Sequence, residues 1–312
     1  MAIRTSWKVS PGQSRCSGLW QRRVHWRDHV TGLLFAAPFI VGFLAFTIYP
    51  FFASLYYSLT DYGLLGSPQW VGLQNYADLM RDTVFHTALG NNAYLIFVGM
   101  PFYIVWSVLV AFLLNTNVRG LPVFRTIYLL PAIMPSVAAS FVWLWVLNPR
   151  TGVGYYLSLL GITPPLWYND PQWAKPGLIL FWFWAVGLDA LILLAALQGI
   201  PQDLKEAAEL DGASPNRRVW SIDLPLISPA ILFVAVTGVI WTVSYFTQAF
   251  IIAGPTGGRE SSMLFLALYL YVNAFQYLKM GYAAALAWVL FIINAIFTFL
   301  MLRLTRERVF YG

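Results

Sequence analysis

The chain has 312 residues, of which 59% are hydrophobic and 10% are charged, and its mean hydropathy is +0.65. Because an ordinary soluble domain carries roughly 25% charged residues, this composition excludes a water-soluble enzyme. The aromatic content of 17% is typical of chains whose tyrosine and tryptophan rings lie at the surfaces of a bilayer.

Long intervals without charged residues predict six membrane-spanning helices. An ionised side chain at the bilayer centre costs roughly 2.5–3.5 kcal/mol, and about 20 helical residues cross the hydrocarbon. Six intervals are long enough, and only Asp189 interrupts one of them. We therefore expect an all-α membrane protein with a domain at 30–305, tails at 1–29 and 306–312, and spans at about 32–56, 88–114, 124–147, 177–198, 226–250 and 281–302.

The lysine and arginine residues predict the orientation of these spans. Fourteen of the 19 lie in the two tails and in the loops after spans two and four, and the other five lie in the remaining loops. Because basic loops stay in the cytoplasm, both termini are predicted to be cytoplasmic. The net charge of +6 is then explained by topology and by anionic lipid, so nucleic acid is not an expected partner.

The loop at 201–225, which we call the acidic hairpin, differs from the other loops. It contains five of the 13 acidic residues of the chain. Pro201 favours the start of a helix and Gly212 its left-handed end, while Ser214-Pro215 is typical of the start of a second helix. Leu224-Pro225 is predicted to end that helix before the next span. The pattern predicts a helix, a turn and a helix on the cytoplasmic face.

Two interpretations of the acidic hairpin are open from composition. Its charge alone favours a solvated connection between two spans. However, Ala207 and Ala208 lie beside the acidic residues, and such small apolar side chains leave a smooth surface that is able to pack into another protein.

The acidic hairpin resembles the EAA signature of permease subunits in bacterial ATP-binding-cassette importers. The matching residues are Glu206-Ala207-Ala208, Gly212, Ile222 and Leu224-Pro225. The flanking segments are similar to the sugar-importer branch, typified by the maltose and glycerol-3-phosphate permeases. Further matching segments are Val71–Tyr76, Phe124–Pro135, Trp143–Gly152, Ala196–Pro201 and Asp211–Ser214.

The resemblance implies a type I importer permease fold in the bacterial inner membrane. The hairpin would be a coupling helix that enters a groove of a separate cytoplasmic ATPase subunit, through Glu206, Ala207, Ala208, Asp211 and Gly212. A second homologous permease and an extracytoplasmic binding protein would complete the importer. The chain has no phosphate-binding loop, so it is not expected to be an enzyme or to bind a cofactor.

Five residues are candidates for a sugar pathway. Asp189 is the only acid inside a predicted span, and it is expected either to line a wet cavity or to make a structural hydrogen bond. Trp241, Thr242, Tyr245 and Gln248 have the spacing of one face of a helix. That face would combine ring surface with hydrogen-bonding groups, as a sugar site requires, although helix packing is an equally open interpretation.

Three other side chains have simpler interpretations. Asn91 and Asn92 lie in the second predicted span and favour hydrogen bonds between helices. Cys16 is the single cysteine, and we interpret it as an idle thiol.

Three alternative functions are weighed against the importer subunit. A self-contained secondary transporter or channel would need paired intramembrane charges or inverted repeats, and only Asp189 is present. A membrane-embedded enzyme would need converging ligands, but the three histidines are scattered, so no metal site is expected. An importer of glycerol-3-phosphate or an anionic oligosaccharide would need lysine or arginine in the outer half of the spans, near the pathway, and none lies there.

Overall fold

The structure is a computed structural model that describes residues 26–64, 66–116 and 118–305, with side chains from residue 31 onward. The C-terminal tail at 306–312 and most of the N-terminal tail, with Cys16, lie outside these residues. The chain divides into two units, 1–54 and 55–312.

Helices make up about 77% of the described chain. In order they are α1 (Trp26–Phe43), α2 (Tyr49–Ser58), α3 (Gln74–Arg81), α4 (Thr83–Tyr94), α5 (Met100–Leu114), α6 (Leu121–Ile133), α7 (Ser136–Val146), α8 (Val153–Leu159), α9 (Pro171–Trp184), α10 (Gly187–Gln198), α11 (Gln202–Leu210), α12 (Pro215–Arg218), α13 (Leu224–Leu226), α14 (Ser228–Val243), α15 (Thr247–Ala253), α16 (Leu266–Tyr271) and α17 (Met280–Thr305). The antiparallel strands β1 (Thr60–Asp61) and β2 (Gln69–Trp70) form a short ribbon.

Short π-helical turns join several of these helices without a break. They lie at Leu44–Ile48, Leu95–Gly99, Val219–Asp223 and Val272–Gln276. Thr31–Ser58 and Thr83–Leu114 are therefore each one long helix. Such turns insert one extra residue into the helical repeat and shift the faces on either side.

Three helices of the described chain are long and apolar enough to cross a membrane, at Thr31–Ser58, Thr83–Leu114 and Met280–Thr305. Three further candidates are bent pairs. The angles are 104° between α6 and α7, 48° between α9 and α10, and 63° between the helix at Pro215–Leu226 and α14. The structure thus has three candidate spans, or up to six if each bent pair crosses as one.

The structure differs from the predicted fifth span at 226–250. Helix α14 ends at Val243, three residues are not helical, and α15 begins at Thr247. No proline lies at this break. Instead, the side-chain amide of Asn92 donates hydrogen bonds to the carbonyls of Thr242 and Val243. A side chain from another helix thereby satisfies carbonyls that the break leaves without a helical partner.

The structure also differs at Pro225, which does not end the second helix of the acidic hairpin. That helix continues to Leu226. Pro225 lies two residues after the π-helical turn at Val219–Asp223, where the regular hydrogen-bond register is already interrupted. The missing N–H of proline therefore costs little at this position.

Two apolar clusters form the core of residues 55–312. The larger cluster surrounds Trp182, Tyr245 and Phe265, all of which are almost fully buried. The second lies beside the acidic hairpin and includes Leu197 and Ile227, which flank the hairpin in sequence. Both ends of the hairpin are therefore anchored in this buried apolar cluster.

Helices α10 and α6 touch through their backbones. A Cβ atom built on Gly187, the first residue of α10, would lie 1.9 Å from the carbonyl oxygen of Tyr128 in α6. Real Cβ atoms essentially never approach that closely. Glycine is therefore required at this crossing, two residues before Asp189.

Asp82, between α3 and α4, makes hydrogen bonds to α4, α16 and α17. Its carboxylate caps α4 by accepting the N–H of Val84 at 2.8 Å. The hydroxyls of Tyr269 and Tyr282 both donate to the same carboxylate. Burial raises the pKa of Asp82, but these hydrogen bonds outweigh it, and the net pKa is lowered.

Candidate substrate pathway and coupling hairpin

A cavity of about 340 Å³ lies among helices α5, α6, α7, α9, α10, α14 and α15. We call it the central cavity. Asp189, Trp241 and Gln248, three of the five predicted pathway residues, line it. Tyr103, Trp182 and Thr237 line it as well, among mostly apolar neighbours. A few polar groups on apolar walls are the usual composition of a small-molecule site.

Asp189 lies in the first turn of α10, just after the bend between α9 and α10. The bend creates a helix N-terminus inside the apolar bundle, and a carboxylate is favoured there by the helix dipole. The hydroxyl of Tyr103 donates a hydrogen bond to Asp189 Oδ2 at 2.5 Å. Both residues are half-buried, so the carboxylate keeps access to the cavity while holding one internal donor.

Gln248 supplies an unused amide to the cavity. Its residue is only 7% exposed, and its side chain makes no hydrogen bond to any described residue. The amide therefore offers both a donor and an acceptor to a molecule in the cavity.

Thr242 and Tyr245 do not line the cavity. The hydroxyl of Thr242 donates to the Gly238 carbonyl one turn earlier in α14, and the residue is fully buried. Tyr245 is 1% exposed and packs against the rings of Trp182 and Trp241, at centroid distances of 5.7 and 5.0 Å. Tyr245 therefore packs behind Trp182 and Trp241, which line the cavity.

The broken helix explains why the four predicted residues of the fifth span separate. Spacing places Trp241, Thr242, Tyr245 and Gln248 on one face only if the helix is continuous. Since α14 ends at Val243, Tyr245 lies in the break and Gln248 belongs to α15. Trp241 and Gln248 still reach the same cavity from two different helices.

The acidic hairpin has the predicted helix, turn and helix. After α11, the N–H of Ala213 bonds to the Ala208 carbonyl and the N–H of Gly212 bonds to the Glu209 carbonyl. This pair of bonds is a Schellman motif, in which the residue after the cap is left-handed. Gly212 occupies that position with φ of +75°. Ser214 then caps α12 by accepting the N–H of Arg217.

The hairpin exposes most of the predicted coupling residues. Glu206, Ala207, Asp211 and Gly212 are exposed, whereas Ala208 is buried against the rest of the chain. Two large apolar side chains also project, since Leu210 is 89% exposed and Trp220 is 74% exposed. The hairpin thus exposes both acidic and large apolar groups.

Arg218 holds the two arms of the hairpin together. Its Nη1 donates to Glu209 Oε1 at 2.9 Å, and its Nε lies 3.9 Å from Asp223 Oδ2. Glu209 belongs to α11, while Asp223 is 5% exposed in the π-helical turn at the base. One guanidinium therefore links the first helix of the hairpin to its base.

Sequence reasoning missed Tyr103 and Arg218. Tyr103 is 86 residues from Asp189, and nothing local marks its hydroxyl as a partner for that carboxylate. Arg218 is nine residues from Glu209, so its role depends on the turn at Gly212. The acids flanking Arg218 are the only local signal. In the part of the chain that the structure describes, no three His, Cys, Asp or Glu side chains converge to hold a metal ion.

Comparison with known proteins gives consistent matches. The family described as "Binding-protein-dependent transport system inner membrane component" matches residues 89–309. The probable ABC transporter permease protein YesP of Bacillus subtilis is 35% identical over 91% of this chain and 93% of its own length. The lactose transport system permease protein LacF of Rhizobium radiobacter is 34% identical over 89% and 95%, respectively.

A solved structure supports the fold. A chain of the bacterial ABC transporter involved in the import of the acidic polysaccharide alginate aligns with a TM-score of 0.75 and 22% identity. The alignment covers 92% of this chain and 99% of that chain. Permeases of this kind are membrane components whose ATPase is a separate subunit. The chain therefore belongs to the family of inner membrane components of binding-protein-dependent transport systems, as an ABC transporter permease with the type I importer fold.

Proposed function

We propose that this permease translocates a neutral sugar or oligosaccharide through the central cavity. The observation that carries the proposal is the side-chain amide of Gln248, which makes no hydrogen bond to a described residue and lines the cavity beside the carboxylate of Asp189 and the ring of Trp241. Sugars present hydroxyls that donate and accept hydrogen bonds, and apolar C–H faces that stack on rings. The lactose permease among the relatives agrees with this class of cargo.

The electrostatics of the cavity favour a neutral cargo over an anionic one. Its lining includes the carboxylate of Asp189 and no lysine or arginine. Glycerol-3-phosphate or an acidic oligosaccharide would meet a like charge there without a compensating base. The two ion pairs found between described residues both lie in the acidic hairpin, which also speaks against a charge-relay mechanism of secondary transport.

The acidic hairpin is the docking element for a separate ATPase subunit in this proposal. Its exposed Glu206, Ala207 and Leu210 form an outward surface for which the described chain provides no cover. Helix α10, which carries Asp189, leads into the hairpin, and α14, which carries Trp241, follows it. The hairpin is therefore connected through both helices to the lining of the cavity. A second homologous permease and an extracytoplasmic binding protein complete the importer.

The proposed topology has six spans, with both termini and the acidic hairpin in the cytoplasm. Each bent helix pair then crosses as one span. The test replaces the single cysteine (Cys16→Ser) and adds either Ser67→Cys or Gln202→Cys. A membrane-impermeant maleimide should label only Ser67→Cys in intact cells. Labelling of Gln202→Cys before permeabilisation would refute the orientation.

The transport proposal is tested in the reconstituted complex of both permeases, the ATPase and the binding protein. Lactose, maltose and raffinose are compared with glycerol-3-phosphate and an alginate oligosaccharide as probes of ATP turnover and uptake. We expect a neutral saccharide to stimulate both, and Gln248→Ala to lower uptake of that saccharide. Gln276→Ala, an exposed glutamine outside the cavity, is the matched control. Stimulation by the anionic probes alone would overturn the proposal.

A further inference from the structure

Two consecutive asparagines lie on the buried side of α4. Asn92 is 2% exposed and Asn91 is 6% exposed. Asn92 follows Phe85 and Ala88 along one stripe, and both of those residues are also buried. Polar amides at such positions cost free energy unless they are hydrogen-bonded, so their contacts show what they do.

Asn92 joins the two helix ends that lie before α15 and after the loop that follows it. Its Nδ2 donates to the carbonyls of Thr242 and Val243 at 3.1 and 3.3 Å, at the end of α14. Its Oδ1 accepts the N–H of Leu266 at 2.8 Å, at the start of α16. Both donors and an acceptor of this one amide are therefore used on backbone groups that lack helical partners.

Asn91 holds the segment that leads into α16. Its Nδ2 donates to the carbonyls of Ser261 and Leu264 at 2.8 and 2.9 Å. Its Oδ1 accepts from Lys175 Nζ of α9 at 3.0 Å. The ammonium of Lys175 also lies 5.5 Å from the centre of the Tyr94 ring, which holds it over α4.

The segment held by Asn91 has an unusual backbone that needs support. Glu260 and Ser261 have φ of +53° and +54°, although neither is glycine. Gly257 has φ of +72°, and a Cβ there would lie 2.4 Å from the Leu264 backbone nitrogen. Left-handed residues persist only where surrounding contacts fix them. The two bonds from Asn91 are contacts of that kind.

We propose that Asn91 and Asn92 are positioning residues that fix α15, and with it the amide of Gln248, at the wall of the central cavity. Helix α15 has only seven residues and lies between the two held points, Val243 before it and Ser261 after it. So short a helix is marginal by itself, and its position depends on its packing against α7 and on how its two ends are held. The importance of this for transport rests on the proposed function, but the positioning itself does not.

The test measures the position of Gln248 directly. In the Cys16→Ser background of the full complex, Gln248→Cys serves as a reporter, and its rate of modification by 2-aminoethyl methanethiosulfonate is measured. Ala132→Cys, on the α6 side of the cavity, is the second reporter. We expect Asn92→Ala to change the rate at the first reporter by at least about tenfold, because two bonds to the break are lost. The rate at Ala132→Cys should change by less than about twofold.

Matched variants separate positioning from general loosening. Asn294→Ala removes an asparagine from α17 that makes no hydrogen bond to the held segment, and it should leave both reporters unchanged. Asn92→Asp keeps the acceptor for Leu266 and loses both donors, so it should resemble Asn92→Ala. If Asn92→Ala does not accumulate in membranes, Asn92→Ser and Asn91→Ser serve in the same comparison.

Two outcomes would overturn the proposal. One is an unchanged rate at Gln248→Cys in Asn91 and Asn92 variants that assemble normally. The other is an equal change at both reporters, which would show general loosening. Neither readout needs a transported saccharide, so a failure of the saccharide probes in the transport assay would refute the proposed cargo and leave this result standing.

Discussion

The hydroxyl of Tyr103 donates its hydrogen bond to the carboxylate of Asp189 across 86 residues of sequence. The bond joins α5 to the first turn of α10 at the wall of the central cavity. It holds the carboxylate in one orientation, with its second oxygen free for a ligand. Because the bond joins two side chains, a substitution here changes the polar lining of the cavity and leaves the helices in place.

Tyr103→Phe should reduce saccharide uptake without loss of the assembled complex. The variant removes one hydrogen bond to a charged group, and such bonds contribute roughly 1.5–3 kcal/mol, so we expect a reduction of about tenfold or more. Asp189→Leu should reduce uptake or assembly further. Initial uptake rates in proteoliposomes provide the measurement. Tyr155→Phe, on the exposed α8, is the control, and unchanged uptake in Asp189→Leu would show that the carboxylate is incidental.

Gly212→Ala should weaken coupling between ATP turnover and uptake. Nothing lies within 4 Å of a Cβ at this position, so the cost comes from its φ of +75° alone, roughly 1–2 kcal/mol. Gly212→Pro should be more severe, since proline requires φ near −65°. Gly199→Ala is the matched control, because Gly199 has φ of −75° and ordinary contacts. Saccharide-stimulated ATP turnover equal to wild type in Gly212→Pro would contradict the coupling role.

Arg218→Ala should loosen the acidic hairpin and lower the affinity for the ATPase subunit. The loss frees Glu209 and leaves the buried Asp223 without its nearest cation. Arg218→Lys keeps the positive charge, but an ammonium cannot contact Glu209 and Asp223 with separate nitrogens as the guanidinium does. Its affinity for the ATPase subunit should therefore be intermediate. Co-purification of the ATPase with the permease measures the effect. Arg217→Ala, exposed on the same helix, should behave as wild type; equal retention by both variants would exclude a role for Arg218.

Asp82→Asn should lower the thermal stability of the complex in a pH-dependent way. Because the pKa of Asp82 is lowered in the folded chain, its contribution is present at neutral pH and is lost as the pH falls below about 4. The Tm difference between wild type and variant should therefore shrink on acidification. Asp170→Asn, which removes the charge at the cap of α9 but keeps an oxygen that accepts the Gln172 N–H, is the control. A Tm difference that is constant from pH 7 to pH 3 would contradict this account.

The acidic hairpin was largely predictable because its signals are local. Pro201, Gly212 and Ser214 each act on their own backbone or on neighbours a few residues away, and the structure has the helix, turn and helix that they indicate. The polar composition separated the segment from the spans. The extension of its second helix past Pro225 and the ion pairs of Arg218 were not indicated.

The cavity was predictable only in part because its geometry depends on distant contacts. The break after Val243 is stabilised by Asn92, 151 residues earlier in the chain, and no residue at the break itself announces it. A continuous helix was the natural prediction, and it placed Thr242 and Tyr245 with Trp241. The spacing nevertheless selected Trp241 and Gln248, which the broken backbone brings to the same cavity.

The backbone contact between α10 and α6 at Gly187 is a pivot point for α10, and residues farther along α10 from this point move farther. Gln198, next to the acidic hairpin, is about 16 Å from this fulcrum along the helix axis, and Asp189 is about 3 Å from it on the same side. For a rigid helix pivoting there, a swing of about 5 Å at Gln198 moves Asp189 by about 1 Å. A movement of about 5 Å at Gln198 would thus become a displacement of about 1 Å at Asp189. That displacement is large enough to break one hydrogen bond and too small to disrupt the apolar walls of the cavity.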